Sequence, residues 1–537
     1  GRMSSIASEW SLFASDDDHD DEASLCEHLA LCFAQERFKD GVAVCTKLLG
    51  IHRRANLLAQ RATGYCRMQH FGLALADVHE ALLLDPDSPT CMFVHAFTLA
   101  CTQQYAAALL VCEAAEQTQH TMAFAPNLVD SIVAKAAGLV GEKAVAALVV
   151  AIARAQSQAN GDYDMVHLFG SSTKPTVLGC ADYVGPVQIV AIAGKGRGLV
   201  ATQDIHVGAL VLVERAYALG SSMSVLARNV ASRMAGDTPE NRCSVQQLCG
   251  SLLDCTLEAT PLHCHLERRH SALIAPMAIP VAQLRPVIER NGHAIDGCAI
   301  DGEMVFGGHK GQGLWRVLPL INHNTRPNVA RVFISDVVFC RAIVPIREGD
   351  EILDNYLDVR MSYHERCHQL ELQHSIFVPP ETDDMAPDLV VTFKAQEEEA
   401  ILLFKKGHIH AACTQLDALL RQDEIREARD PILIDCCLYH ASTAMKLGNH
   451  PAAFVSWQQA MDILMGREPY SLFGCMLAAH VAHEACRVGC MVEARHWIAQ
   501  ARAQYRVVYG GDDALFAIMN PKLASSCELE MRADVDA

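Results

Sequence analysis

The stretch Gly194-Lys195-Gly196-Arg197-Gly198-Leu199-Val200-Ala201 lies between two short β-branched runs, Val187–Ile192 and Leu210–Val213. Such runs, bounded by Gly and Pro, predict strands. The glycines allow positive φ and let backbone amides approach a ligand, and Lys195 and Arg197 can neutralise a carboxylate. Taken alone, the commoner interpretation is a Gly-rich hairpin turn with solvated charges. It is not a phosphate-binding loop, because no helix with Gly-Lys-Ser/Thr follows.

A second set of motifs lies far downstream and, together with the first, decides the fold. It comprises Leu320-Ile321-Asn322-His323, then Pro327-Asn328, then Gly349-Asp350-Glu351-Ile352-Leu353-Asp354-Asn355-Tyr356. Two further stretches precede it, Asn291-Gly292-His293-Ala294-Ile295 and Gly311-Gln312-Gly313-Leu314-Trp315. A lone Asn-His pair is commonly a turn, but the ordered set is far more specific than any one of its members.

The order and spacing of these motifs resemble the SET domain of protein lysine methyltransferases. They are similar in particular to the split SET domain of the SET-and-MYND family and of its relatives that carry tetratricopeptide repeats. The resemblance implies an α+β fold, in which a β-rich SET domain with a knot-like core is flanked by N-terminal and C-terminal helical domains. It also implies methyl transfer from S-adenosylmethionine to a lysine side chain of a protein, histone or non-histone.

The resemblance assigns roles to individual residues. Those implied to bind the cofactor are Lys195, Gly196, Arg197, Asn291, Asn322, His323 and Phe377. Tyr356 is implied to be catalytic. In-line attack by an amine on a sulfonium methyl needs alignment more than acid–base power, and a tyrosine hydroxyl can orient the amine and stabilise positive charge. An apolar channel lowers the pKa of the lysine that must lose its proton.

The sequence departs from the family after the Asn-His motif. Where the family has a zinc-binding cysteine this chain has Thr325, and the stretch Leu372–Glu381, where the other three ligands are expected, contains no cysteine. A tetrahedral zinc site cannot be built from these residues, so no zinc is expected.

Ile376 replaces a tyrosine of the lysine channel, and Val378 replaces an aromatic residue against adenine, with Phe377 adjacent. The alternative function is therefore a catalytically weak or inactive scaffold that binds protein partners.

The zinc module of the SET-and-MYND family is also not recognisable in the insertion. Its candidate ligands are Cys243, Cys249, Cys255, His263, Cys264 and His265. The first cysteines are separated by five intervening residues, which is not the spacing of a paired zinc knuckle. Structural thiols are favoured over a metal site.

Helical repeats are predicted on both sides of the motifs. Phe71, Ala74 and Ala81 recur 34 residues later as Tyr105, Ala108 and Ala115, a period typical of tetratricopeptide repeats.

The predicted domains are an acidic mobile tail (1–21), repeat helices (22–125), a helical linker (126–182), the SET domain (183–215 and 286–380, with a helical insertion at 216–285) and C-terminal helices (386–525). The helical surfaces either bind a partner peptide or brace the core.

The composition limits the classes of partner that the protein can be expected to bind. With 44 basic and 63 acidic residues the net charge is −19, which argues against non-specific nucleic-acid binding. The acidity suits a Lys-rich protein partner or serves solubility alone. The longest apolar run, Ala144–Ala153, is too short to span a membrane. Scattered cysteines and the lack of a recognisable secretory signal predict a cytoplasmic or nuclear protein.

Overall fold

A computed structural model describes most of the chain. The described residues are 19–117, 142–171, 180–237, 245, 248, 281–295, 299–300, 303–304, 311–381 without 335, 375 and 380, 384–511 without 428, and 513–524. Residues 1–18 of the predicted acidic tail lie outside them, and the first helix begins at His19, inside that tail. All six candidate zinc ligands of the insertion also lie outside the described residues.

The N-terminal part is built from antiparallel helix pairs. The helices are α1 (His19–Ala34), α2 (Phe38–Ile51), α3 (Ala55–Arg67), α4 (Phe71–Leu84), α5 (Pro89–Cys101), α6 (Tyr105–Gln117), α7 (Glu142–Ala159) and α8 (Met165–Ser171). Helices α2, α4 and α6 begin 33 and then 34 residues apart, as the sequence period requires. Ala74 and Ala108 are fully buried, because only a small side chain lets neighbouring helices approach so closely.

The centre of the molecule is rich in short strands. They are β1 (Tyr183–Val184), β2 (Val187–Ile192), β3 (Gly196–Ala201), β4 (Leu210–Arg215), β5 (Ala218–Gly220), β6 (Gly292–Ile295), β7 (Ala299–Ile300), β8 (Glu303–Met304), β9 (Gly311–Leu314), β10 (Asn322–His323), β11 (Val329–Ile334), β12 (Val337–Ala342) and β13 (Leu353–Asp354). The insertion predicted as helical (216–285) is not helical throughout, because β5 lies within it and pairs with β9. Its described helices are α9 (Met223–Gly236) and α10 (Val281–Asn291), and α10 continues past residue 285. The β-branched and aromatic composition of the runs Val329–Ile334 and Val337–Cys340 predicts strands, and these runs form β11 and most of β12.

The largest sheet has the strand order β1-β4-β12-β11 and is antiparallel throughout. The remaining strands pair as β2-β3, β5-β9-β6, β7-β8 and, in parallel, β10-β13. All six residues of β12 are buried. Its alternate side chains enter two different cores: Phe339 joins the core shared with the C-terminal helices, and Val338 and Cys340 join the core of the central region. Because successive side chains point to opposite faces, β12 ties the two cores together.

The C-terminal part is helical again. Its helices are α11 (Tyr363–His374), α12 (Pro387–Lys405), α13 (Ile409–Leu420), α14 (Asp423–Glu427), α15 (Leu433–Lys446), α16 (His450–Arg467), α17 (Leu472–Val488), α18 (Met491–Tyr509) and α19 (Asp513–Met519). Ser471 caps α17 by accepting a hydrogen bond from the Gly474 amide at 3.0 Å, and the helix ends at Gly489 with φ of +78°, where glycine avoids the strain of the left-handed region.

The observed arrangement is the predicted α+β architecture, with a small β-rich centre between two helical regions. The C-terminal helices predicted over 386–525 start with α12 at Pro387, since proline is well suited to the first turn of a helix. Helix α11 precedes that range and lies within residues 286–380, the range predicted as part of the SET domain. Among the described helices, no stretch combines the length and the apolarity needed to cross a bilayer.

The junction between β12 and the helical core can be tested at Phe339, which is 1% exposed and packs edge-on against Tyr163 at 5.4 Å. We expect Phe339→Ala to lower the free energy of unfolding by about 3–5 kcal/mol, because it removes a buried aromatic ring and leaves a cavity. Urea denaturation followed by circular dichroism measures the change. Val455→Ala, at a side chain 60% exposed, is the control, and equal midpoints for the two variants would contradict the packing described.

Candidate active site

The glycine-rich stretch and the downstream motifs meet at one place in the structure. Residues 349–352 run beside β3, where the Ala201 amide donates to the carbonyl of Asp350 at 2.9 Å and the Ile352 amide donates to the carbonyl of Leu199 at 2.8 Å. The next residues form β13, which pairs in parallel with β10. The segment 349–356 therefore passes between β3 on one side and the Asn-His strand on the other.

The side chain of Asn328 holds this segment in register. Its Nδ2 donates to the carbonyl of Glu351 at 2.7 Å, and its Oδ1 accepts from the Leu353 amide at 2.7 Å. The Asn328 amide also donates to the carbonyl of Leu353 at 3.0 Å. A side-chain amide that presents one donor and one acceptor in this way imitates a paired strand, so a single residue sets the position of the segment that ends at Tyr356.

A buried carboxylate fixes the approach to the Asn-His strand from the other side. Glu214, at the end of β4, is fully buried and accepts from the backbone amides of Arg316, Val317 and Leu318 at 2.8–3.1 Å. These amides begin the short 3₁₀ helix Leu318–Leu320, where a carboxylate satisfies donors that have no partner within the helix. Burial raises the pKa of Glu214, and the charge of Arg316 opposes that shift.

Lys195, Glu351 and Asn322 form a polar group at the start of β3. The Lys195 ammonium donates to Glu351 Oε2 at 2.7 Å, and the Asn322 amide donates to Glu351 Oε1 at 2.8 Å and to the carbonyl of Arg197 at 3.1 Å. Both hydrogens of the Asn322 amide are thus engaged, which leaves its Oδ1 as the acceptor that this residue can offer.

Gly198 lies so close to this polar group that a side chain at position 198 would collide with it. A Cβ atom at position 198 would lie 2.8 Å from Asn322 Nδ2 and 3.1 Å from Glu351 Oε1. A Cβ atom cannot form a hydrogen bond and does not lie 2.8 Å from a nitrogen in real structures, so a side chain here would require Asn322 to shift. The glycine-rich stretch forms a β-hairpin with β2 that leaves room for the Asn-His strand. Its charges are not solvated as the commoner interpretation held, because Arg197 is buried and Lys195 is paired with Glu351.

His323 is a neutral, buried imidazole. It is 6% exposed, and burial, with His374 nearby, lowers its pKa to about 4. Its Nδ1 accepts from the Tyr356 amide at 3.1 Å. The proton of the neutral ring must then reside on Nε2, and this atom is buried with no hydrogen-bond partner among the described residues. A buried N–H donor without an acceptor is costly and marks a place for a ligand atom.

Tyr356 is held by contacts to its ring and to its hydroxyl. Its ring lies 5.2 Å from the His323 ring and 4.9 Å from the His374 ring, and its hydroxyl donates to the carbonyl of Ile321 at 2.7 Å. Burial raises the pKa of Tyr356 to about 12, so the phenol stays protonated at neutral pH. With its hydrogen committed to Ile321, the hydroxyl oxygen presents lone pairs to the space around it.

The contact with His374 was not foreseen from the sequence. His374 is the last residue of α11, two positions before Ile376, and burial lowers its pKa. No local pattern distinguishes it from the other histidines of the chain, because its role depends on how α11 packs on the Asn-His strand. An imidazole thus flanks Tyr356 close to where the resemblance places a missing tyrosine.

The remaining predicted site residues, described next, have different environments in the structure. The Arg197 side chain is 8% exposed, and burial lowers its pKa. Asn291 ends α10, and its side-chain amide donates to the carbonyl of Val287 within the same helix at 2.8 Å. The Phe377 side chain is 84% exposed, so its contact with an adenine stays a prediction. No set of metal-ligating side chains was found among the described residues.

Comparison with known proteins identifies the central region. Residues 196–357 match the family model of the SET domain, a range that begins in β3 and ends just after Tyr356. No curated protein matches the chain significantly. The chain therefore contains a SET domain, a domain that is generally found in protein lysine methyltransferases and that uses S-adenosylmethionine in those enzymes. The closer resemblance to the SET-and-MYND family stays a prediction.

The depressed pKa of His323 predicts a pH dependence of stability. The ordinary pKa of histidine is about 6.5, so between about pH 6.5 and 4 the unfolded chain binds a proton that the folded protein excludes. The stabilisation from the neutral ring is complete above pH 6.5 and is lost as the pH falls towards 4, by about 3 kcal/mol at most.

Urea unfolding of wild type and His323→Gln between pH 7.5 and 4.5 measures this contribution. Glutamine can still accept from the Tyr356 amide but does not titrate, so we expect its stability to fall less steeply with acidity. His410→Gln, at an exposed position, should follow the wild type. Parallel curves for His323→Gln and wild type would show that His323 is not the residue responsible.

Proposed function

We propose that this protein is a protein lysine methyltransferase that transfers a methyl group from S-adenosylmethionine to a lysine side chain. The observation that carries the proposal is the position of Tyr356. Its hydroxyl donates to Ile321 and its ring packs on His323, so a fixed oxygen with available lone pairs lies directly beside the Asn-His strand. Preorganised oxygens of this kind stabilise the positive charge that is shared between an attacking amine and a sulfonium.

The residues around Tyr356 fit the cofactor chemically. S-adenosylmethionine carries an ammonium, a carboxylate, a sulfonium and an adenine. Asn322 Oδ1 suits the ammonium, and the buried Nε2–H of His323 suits an acceptor such as an adenine nitrogen or a carboxylate oxygen. Lys195 and Arg197 add positive charge for the carboxylate, and Gly196 has φ of +83°, where a side chain would be strained. Asn291 and Phe377 complete the proposed binding set.

The main task of the protein in this reaction is to align the reacting groups. When bound, S-adenosylmethionine supplies an activated methyl group: the lysine nitrogen forms a bond to the methyl carbon while the carbon–sulfur bond breaks and its electron pair returns to sulfur. The substrate amine must be neutral before it attacks, and it loses a proton to solvent. Tyr356 orients the amine through its oxygen, and the neutral imidazoles of His323 and His374 keep additional positive charge away from the reacting nitrogen.

The substrate is proposed to be a lysine-bearing protein or peptide, histone or non-histone. The net charge of −19 favours encounter with a basic segment, and the N-terminal helix pairs offer a surface for a partner peptide. No direct contact with nucleic acid or with a membrane is proposed. A cytoplasmic or nuclear location is proposed as well, on the basis of the scattered cysteines.

One observation favours a second candidate, a SET scaffold that binds partners without transferring methyl groups. Ile376 stands where a channel tyrosine is expected, and the Phe377 side chain is exposed where an adenine contact is expected. A scaffold has no need of a closed cofactor site, so cofactor binding separates the two candidates.

Calorimetric titration with S-adenosylmethionine tests the cofactor site. We expect saturable binding, and we expect Asn322→Ala and Gly198→Ala each to raise the dissociation constant about tenfold or more, because a lost or displaced hydrogen bond to a charged group costs about 1.5–3 kcal/mol. Gly50→Ala is the matched control, since no atom lies within 4 Å of its added Cβ. Absence of binding by the wild type at millimolar cofactor would favour the scaffold.

Methyl transfer to a mixture of lysine-rich proteins, followed with a labelled methyl donor, tests Tyr356. We expect Tyr356→Phe to lower kcat about a hundredfold because it removes an oxygen that stabilises the transition state. The dissociation constant for S-adenosylmethionine should remain within about threefold of wild type, since the ring packing is retained. An unchanged kcat in Tyr356→Phe would refute the catalytic assignment.

A further inference from the structure

The C-terminal end of α16 contacts three segments of the candidate active site. The carbonyl of Gly466 accepts from Arg326 Nη1 at 2.7 Å. The guanidinium of Arg467 lies 2.6 Å from Glu381 Oε2. The carboxylate of Glu468 accepts from the Asn355 side chain at 2.8 Å. Three consecutive residues of the C-terminal helical part thus hold the loop after His323, the segment after α11 and the neighbour of Tyr356.

Arg467 is the centre of an ion-pair cluster, which we define as Arg326, Arg366, Glu381, Asp384 and Arg467. Arg326 and Glu381 form its exposed edge. Asp384 Oδ1 accepts from Arg366 at 2.7 Å and from Arg467 at 3.2 Å. Glu381 Oε2 also accepts from Arg326 Nε at 2.9 Å. The side chains of Arg366, Asp384 and Arg467 are only 3–5% exposed, so salt screens them weakly.

Glu381 joins the cluster to the loop that follows the Asn-His strand. Its other oxygen, Oε1, accepts from the hydroxyl of Thr325, and its own amide donates to Asp384 Oδ2 at 2.7 Å. The segment after α11 and the loop at Thr325–Arg326 are therefore held together by charges and hydrogen bonds.

Among the described residues of segment 376–381, the largest apolar side chain, Phe377, is 84% exposed. Hydrogen bonds hold the backbone of the segment: the Ile376 amide donates to the carbonyl of Leu370 at 3.2 Å, and the Tyr363 hydroxyl donates to the carbonyl of Val378 at 3.1 Å. Removing one partner from a buried ion pair leaves an uncompensated charge and is strongly unfavourable. The position of this wall of the site accordingly depends on Arg467.

We propose that Arg467 is a positioning residue for methyl transfer, acting from the C-terminal helices through Glu381 and Asp384 on the segment 376–381 and the loop at 325–326. The inference rests on the proposed function. It implies that the SET domain is completed by a guanidinium from outside the matched range, and that the geometry around Tyr356 is lost when that guanidinium is removed while the rest of the fold persists.

Hydrogen–deuterium exchange on the full chain tests the proposal without requiring turnover. We expect Arg467→Met to accelerate exchange in peptides covering 323–326 and 376–385 by about tenfold or more, because loss of the ion pairs between the two segments favours their local opening. Peptides from α17 should exchange as in the wild type. The matched control is Arg487→Met, which removes an ion pair to the buried carboxylate of Glu484 at 2.9 Å in the same helical region but away from the site.

Kinetics give the second readout. Arg467→Met should lower kcat about tenfold or more, since small misplacements of an aligned site are costly, and Arg487→Met should leave kcat within about twofold of the wild type. Arg467→Lys should recover part of the loss, because lysine keeps the charge but cannot bind two carboxylates as a planar fork. Glu381→Gln removes one charge of the cluster at a partly exposed side chain. It provides the same test if Arg467→Met does not fold.

The outcomes separate the two proposals. Unchanged exchange at 323–326 and 376–385 in Glu381→Gln and in a folded Arg467→Met would overturn the positioning role. Exchange that accelerates equally in peptides from α17 would also overturn the positioning role, because that result indicates general destabilisation. A wild type that binds no S-adenosylmethionine and methylates no protein would overturn the proposed function instead, whatever the exchange experiment shows. Local acceleration together with loss and partial rescue of kcat supports both.

Discussion

The position of segment 349–356 between two backbones is the constraint on which the rest of the site depends. On one side it bonds to β3, on the other it pairs with β10, and Asn328 fixes its register from within. A strand that is shifted by one residue turns all its side chains to the opposite face. A shift here would move Tyr356 away from His323 and Glu351 away from Lys195 at the same time, so the site is either assembled as a whole or not assembled.

Charge burial supports this arrangement from two directions. Glu214 holds the approach to the Asn-His strand through backbone amides, and the cluster around Arg467 holds the segment that follows α11. Ionic groups that lose their water are expensive unless they are fully paired. They favour one position of these segments here, because each carboxylate reaches its amide or guanidinium partners only when the segments meet.

Much of the fold could be predicted from the sequence, because its signals are local. The β-branched runs at β2 and β11 ended where the structure ends them, and the 34-residue recurrence of Phe71 at Tyr105 reflects helices that repeat in space. The proximity of Lys195, Asn322, His323 and Tyr356 could be predicted only through resemblance to a family, since no local pattern joins residues so distant in the chain. The caps and contacts made by Glu214, His374 and Arg467 could not be predicted, because each depends on which elements pack together.

The two-sided burial of β12 has a consequence for how the protein is made. One face of the central sheet packs against side chains from α18, including Tyr505 and Tyr509, which leave the ribosome well after the sheet itself. During synthesis Tyr163 is already present to pack on Phe339, but the part of the apolar face that α18 covers stays exposed until the late helices have emerged. A nascent chain with an exposed sheet face is prone to aggregation, so the interval between translating β12 and translating α18 is when this protein most needs a chaperone.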